Sequence, residues 1–310
     1  MTSISASRAE AASTEARARI RSRRRARARQ WDRVATVSLW GIAGFISLVF
    51  LFIVIYTIGQ GLPSISWQFF TSGDPLVGIA PQVLNTFYLI IMTMIIMIPI
   101  GMGAAIYLVE YSRKNRFTQL LQFATDTLTS TPTIVIGMLG FLVFATHFGS
   151  GAFLGVNRLT ASLTLAIINL PWALRVFQDA LIAVPRDYRE ASFGIGASRL
   201  QTVMRTVLPA AIPGIITGIL ILSGRIIGES AALLFTAGQT TPLFGWGSLD
   251  PRISGETLAL HAFNLFSADF SQNGTSIRLG TALTLIVLVL IFNASARFIG
   301  NYVHRRFSGK

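Results

Sequence analysis

Apolar runs long enough to cross a bilayer recur six times along the chain, separated by polar or turn-rich stretches. A membrane-spanning helix needs about 20 mostly apolar residues. The expected spans are Val34–Ile58, Leu84–Val109, Leu128–Phe148, Leu159–Phe177, Ile212–Ala237 and Leu279–Phe298. The pattern predicts an all-α polytopic membrane protein with six transmembrane helices. Its expected divisions are a basic, disordered tail over 1–33, a six-helix membrane domain over 34–303 and a short tail over 304–310. The first run carries no charge, is too long for a signal-peptide core and lacks a cleavage site.

Charge fixes the expected orientation, because lysine and arginine accumulate on the cytoplasmic side of short loops. Ten arginines precede residue 34. Arg113, Lys114 and Arg116 follow the second run, Arg186, Arg189, Arg199 and Arg205 follow the fourth, and Arg305, Arg306 and Lys310 follow the sixth. The intervening loops carry only Arg158, Arg252 and Arg278. Both termini are therefore expected in the cytoplasm. The external loop 238–278 is long; it holds the turn-rich "TTPLFGWGS" and then "ETLALHAFNLFSA", which fits a short interfacial helix.

Composition removes most soluble chemistries. At 52% hydrophobic and 13% charged residues the chain is too apolar for a soluble domain of 310 residues. It has no cysteine, and His147, His261 and His304 show no ligand spacing, so no metal site is expected. The only lysines are Lys114 and Lys310, which excludes a GxxxxGK[ST] phosphate loop. The chain is expected to bind no cofactor and to hydrolyse no ATP itself. The arginine-rich tail runs close to every second residue and would smear around a helix; a solvated arm that sets topology beside anionic lipid is preferred to nucleic-acid binding.

The loop after the fourth run reads "DALIAVPRDYREASFGIGASRLQTVMRTVLPAAIPGI". Pro185 opens a short helix, Gly194 and Gly196 permit a turn, and a second amphipathic segment over 197–207 runs into Leu208–Pro209. Such a hairpin on the membrane face can act as a lever on the spans it joins. Glu190-Ala191-Ser192, Gly196 and Leu208-Pro209 stand at the spacing of the EAA signature, and the loop resembles that of ABC-importer permeases. "GLPSISWQFFT", "STPTIVIGMLGF" and "GRIIGESAALLFTAG" are similar to the A-type permease of phosphate importers. Departures are Ser192 for alanine, Thr206 for isoleucine, Ser230 for threonine and Ala232 for proline. The resemblance implies a type I importer permease fold. It also implies that the loop around 179–208 is a coupling loop, with Glu190, Ala191, Gly196, Leu208 and Pro209 at an ATPase docking surface. The partners it implies are a second, C-type permease, two ATPase subunits that use the ATP, and an external phosphate-binding protein.

Within the fifth run stand two charges, Arg225 and Glu229, four residues apart. Even mild insertion scales set such a charge at roughly 2.5–3.5 kcal/mol at the bilayer centre. On a continuous helix, Gly214, Gly218, Arg225 and Glu229 share one stripe, and Gly224 and Gly228 form a neighbouring small pair. Small residues let another helix pack close. Two roles remain open: a structural ion pair, or an anion contact in the substrate path in which Arg225 presents its guanidinium fork and Glu229 orients it. Arg175 and Asp179 are expected to pair at the end of the fourth span, Pro171 to act as a possible hinge, Pro132 to start the third span, and Asn85, Asn169 and Asn293 to bond between helices. The reading is a permease subunit of an ATP-driven phosphate importer in a bacterial-type inner membrane. Its alternatives are an importer permease for sulfate, molybdate or phosphonate, and an ion-coupled secondary transporter.

Overall fold

The computed structural model describes residues 2–74, 77–112, 116–146, 154–238, 248–267 and 274–307, with side chains over 31–300 apart from residues 117 and 274–276. Every regular element among these residues is helical. The chain divides into two compact units, residues 1–58 and 59–310.

The first unit consists of helix α1 (Thr2–Gly61) up to Ile58. The helix begins at Thr2, so the basic segment expected to be disordered has helical backbone. Alanine and arginine, which dominate it, are among the best helix formers. Its apolar stretch leaves Val37, Trp40, Phe45, Phe50 and Phe52 exposed, as hydrocarbon contact requires.

In the second unit, a short helix α2 (Trp67–Thr71), capped by the Ser66 hydroxyl, precedes α3 (Ala80–Ile106), which ends in a π-helical turn over Tyr107–Tyr111. Next come α4 (Arg116–Ser130) and α5 (Thr133–Gly140), the latter continued by a π turn to Ala145. Helix α6 (Arg158–Ile182) starts on an Asn157 side-chain cap. The hairpin helices are α7 (Arg186–Gly194) and α8 (Arg199–Thr202). Helices α9 (Leu208–Ile227), α10 (Leu233–Thr236), α11 (Leu258–Ser267) and α12 (Gly274–Phe307) complete the chain.

Among the described residues, five helices are long and apolar enough to cross a membrane, and a sixth is counted if α4 and α5 form one span bent by 103°. The third span expected at 128–148 falls on this bent pair. Pro132, expected to start the third span, stands instead at the break before α5, in its N-cap position; a residue before proline is pushed out of helical backbone, and at Thr131 the chain turns. The 13 helical residues that follow rise only about 20 Å, short of a hydrocarbon core about 30 Å thick. His147 and Phe148, at the expected end of that span, lie outside the described residues, as do the 239–247 stretch of the long loop and the tail over 308–310.

The fifth span also differs. Helix α8, a π turn over Val203–Val207 and α9 run on as one helix of 29 residues, Arg199–Ile227. The amphipathic segment expected over 197–207 thus continues through Leu208–Pro209 into the span without a break. Proline has no N–H and crowds the carbonyl four residues earlier, here that of Arg205, which lies in the widened π turn over Val203–Val207. The helix ends at Ile227, with Gly228 as its C-cap. The apolar core joins α3, α6 and α9 through Leu89, Met97, Leu165, Phe177, Leu222 and Ile227.

Candidate translocation path and coupling surface

Gly214 and Gly218 sit one turn apart on α9 and face α6. A Cβ on Gly214 would stand 2.9 Å from the Ala180 Cβ, and one on Gly218 would meet Val176 Cγ1. Those two glycines therefore set the α6–α9 approach, as the small-residue stripe predicts. The second pair does not. Gly224 has only Asn293 Oδ1 at 3.8 Å, and Gly228 meets only its own helix's last turn; Gly228 is a helix end, not a packing face.

Arg225 and Glu229 do not share a helix stripe either. Glu229 lies beyond the end of α9, in the unwound residues before α10. It forms no ion pair with Arg225; its carboxylate accepts from the Ala232 backbone N–H at 3.4 Å. A helix of four residues needs acceptors for its first N–H groups, and Glu229 is placed to supply one. Arg225 turns instead to α6. Its Nε donates to Asn169 Oδ1 at 3.1 Å, and the guanidinium carbon stands 4.7 Å from the Trp172 ring centroid. Asn169 is buried and fixed by an Nδ2 bond to the Leu165 carbonyl. Arg225 is itself exposed, and among the described residues its two terminal nitrogens have no hydrogen-bond acceptor. The fork is held at its stem and on one face, with its donor edge open.

Trp172 also borders a cavity of about 500 Å³ between α4 and α6. Arg175, Asp126, Gln122, Gln178 and Ser130 contribute polar lining, and Pro171 lies in its wall. Arg175 makes no ion pair with Asp179, contrary to expectation. It is exposed at the cavity instead. Helix α6 thus carries Asn169, Trp172 and Arg175 at successive three-residue steps along one face. Spacing alone suggested the Arg175–Asp179 pair; only the packing of α4 against α6 shows which face of Arg175 is free.

The α7–α8 hairpin leaves Glu190 and Ala191 exposed. Around them Tyr188, Phe193, Ile195, Leu200 and Met204 are exposed too, Ile195 at 87%. Gly196 has φ +85 with open space around it; the left-handed backbone demands glycine there. Ser192 and Thr202 exchange a buried hydroxyl hydrogen bond of 2.9 Å, which ties α7 to α8 and gives Ser192 a role that alanine lacks. Leu208 and Pro209 fall on the long helix beyond the π turn, not in the turn of the hairpin.

The expected interfacial helix in the long loop exists as α11 but is largely buried, with Leu258 and Leu260 at 0% exposure. Sequence reading missed its polar anchor. The Glu256 carboxylate, 3% exposed, accepts from Gln82 Nε2 at 3.2 Å and Asn264 Nδ2 at 2.7 Å and meets His261 Nδ1 at 2.8 Å. Asn85 donates to the Glu256 carbonyl, and Leu258 N donates to the Thr86 hydroxyl. Removing one partner from a buried network leaves the others unsatisfied at about 1–3 kcal/mol each. Glu256→Ala should therefore lower the melting temperature of the purified protein by roughly 5 °C or more. A thermal scan within a degree of wild type would show that the network is not an anchor.

Residues 97–309 match the family of binding-protein-dependent transport system inner membrane components. The chain belongs to this family. The permease is 36% identical over 290 residues to YqgI of Bacillus subtilis (strain 168), a probable ABC transporter permease protein, covering 89% of this chain and 97% of the relative. It is 31% identical over 258 residues to the phosphate transport system permease protein PstA of Haemophilus influenzae, covering 80% of this chain and 87% of that one. Its fold is that of a bacterial alginate ABC transporter in complex with a periplasmic protein bound to an alginate pentasaccharide, with TM-score 0.61 at 15% identity over 89% of this chain and 97% of that chain. The inward-facing MetNI methionine ABC transporter matches with TM-score 0.51 at 17% identity over 74% of this chain and 94% of that chain. The permease is thus a multi-span inner-membrane component of type I importer architecture. Family membership sets aside the ion-coupled secondary transporter.

Proposed function

We propose that this permease forms half of the translocation path of an ATP-driven inorganic phosphate importer. The observation that carries the reading is the Arg225 fork, clamped by Asn169 and Trp172 with its donor edge open, close to a polar cavity that carries Arg175. A planar fork matches phosphate oxygens two at a time. Similarity to PstA of Haemophilus influenzae supports the same substrate. The partners are a second, C-type permease, two cytoplasmic ATPase subunits and an external phosphate-binding protein. ATP is hydrolysed on the partner subunits, and this chain supplies no covalent chemistry.

Glu190 and the exposed apolar residues around it form the docking surface for the ATPase. Uncovered apolar side chains beside a carboxylate fit a partner groove better than they fit water. Nucleotide-driven movement of that partner displaces the hairpin and opens the path to alternate sides. The decisive experiment is ATP-driven uptake of labelled phosphate by the reconstituted complex, with sulfate and molybdate as competitors. Strong competition by either would move the assignment to the wider oxyanion class, which the general description of YqgI leaves open.

Orientation follows the charge asymmetry, with both termini and the α7–α8 hairpin in the cytoplasm. The chain has no cysteine, so single introduced thiols report cleanly. Asp250→Cys should react with an impermeant reagent from outside in intact cells, and Ile195→Cys only after permeabilisation. The opposite pattern would reverse the topology.

A further inference from the structure

We infer that Glu110 and Arg189 form the strut that carries movement of the α7–α8 hairpin into α3, and so to the cavity. The inference rests on the importer reading. Arg189 lies on α7 and Glu110 in the last, π-helical turn of α3. Arg189 Nε and Nη2 both donate to Glu110 Oε1, at 3.0 and 2.7 Å. The side chains are 17% and 10% exposed, so the pair is screened from water on most sides. The same guanidinium donates to the carbonyls of Leu181 and Val184 at 2.9 and 2.8 Å. Leu181 lies in the last turn of α6 and Val184 two residues past its end, so the cation caps the chain where it leaves that helix. One cation thus joins three elements. The second arm of the hairpin reaches the same turn: Arg199 of α8 stands 5.7 Å from the ring centroid of Tyr111.

Two arms of one hairpin therefore grip adjacent residues of a single turn. Two residues before Glu110, Leu108 lines the cavity that holds Arg175. A push on the exposed face of α7 is transmitted through the Arg189 fork to Glu110, and the same turn carries Leu108. A π turn closes with one extra residue and is an established place for a helix to yield. Arg189 is a positioning residue in this scheme, as is Glu110; neither need touch phosphate.

Capping and strut functions separate by mutation. Glu110→Ala leaves both carbonyl contacts of Arg189 intact and removes only the link to α3. Assembled with its partner subunits and reconstituted, it should hydrolyse ATP but carry at least tenfold less phosphate per ATP. The charge swap Glu110→Arg with Arg189→Glu restores an α7–α3 pair while losing the carbonyl caps, and should recover most of the coupling. In parallel, Leu108→Cys should change its alkylation rate on ATP addition in the wild-type background and not alongside Glu110→Ala. Should the alanine variant assemble poorly, Glu110→Gln keeps the volume, weakens the charge link, and should show the same loss in smaller degree. Wild-type phosphate-to-ATP ratios in Glu110→Ala, or in Glu110→Gln where that variant is the one used, would overturn the strut, as would a swap no better than Arg189→Ala. A complex whose only change is Leu108→Cys, and which hydrolyses ATP and shifts its alkylation yet carries no phosphate, refutes the substrate reading alone; the alkylation comparison then decides the strut. An unmodified complex with no response to ATP refutes the importer reading and the strut with it.

Discussion

Replacing Arg225 by glutamine is expected to abolish ATP-driven phosphate uptake while the complex still assembles. The side chain is nearly isosteric at its stem and keeps the possibility of a bond to Asn169, so packing of α9 against α6, which depends on Gly214 and Gly218, should persist. What is lost is the charge and the open donor edge. Arg225→Lys keeps the charge but not the fork or the flat face against Trp172; a lysine ammonium is a compact, strongly hydrated point charge. Uptake should fall at least tenfold without disappearing. Each result is read as initial uptake rate against the amount of assembled complex. Wild-type uptake in Arg225→Gln would remove Arg225 from the path.

The charge swap Arg225→Glu with Glu229→Arg sharpens the test. Glu229 sits in the unwound segment, bound to the Ala232 N–H, and makes no ion pair with Arg225. An arginine at 229 would lose that acceptor role, and a glutamate at 225 would place a carboxylate beside Asn169 Oδ1 unless the amide flips. Uptake should be absent. A functional swapped protein would mean that only the presence of one charge of each sign matters, which the separated geometry argues against.

Hydrophobic runs and charge asymmetry made the membrane class and most spans legible, because bilayer thickness fixes helix length and every buried backbone group must be satisfied within the segment. They do not specify where a helix ends inside a long apolar run. Ile212 to Ala237 reads as one span, yet the helix breaks at Gly228, and that break takes Glu229 off the Arg225 stripe. Glycine spacing foretold a close approach at Gly214 and Gly218, where the partner face is also helical. It misled at Gly224 and Gly228, since nothing local distinguishes a packing glycine from a helix-ending one. Glu256 was invisible for another reason: its partners Gln82, His261 and Asn264 come from distant or differently phased positions, and only the burial of α11 joins them. The Arg189–Glu110 pair spans 79 residues, which no periodicity encodes.

Gly137→Val is expected to be the most damaging single change outside the charged residues. A Cβ at Gly137 would stand 2.6 Å from Ala232 Cα and 2.9 Å from the Ala232 carbonyl oxygen. Both are backbone atoms, so no side-chain rotation relieves the clash. Helix α5 is pinned further along as well, because Gly140 faces the Thr164 side chain with no room for a Cβ. The strain must therefore go into the unwound stretch that holds Glu229 and ends at the start of α10. Overpacking a close contact costs typically about 1–3 kcal/mol, and a melting temperature lower by several degrees should register it. Uptake should suffer more than stability does, tenfold or beyond, because the displaced stretch holds Glu229, whose carboxylate accepts from the Ala232 N–H. Gly103→Ala is the matched control: it lies on α3, where among the described residues no atom beyond its own stretch of helix comes within 4 Å of the added carbon, and it should leave both melting temperature and uptake unchanged. Equal behaviour of the two variants would show that α5 and the Ala232 backbone can separate freely, and would take the bent α4–α5 pair out of the machinery that positions the path.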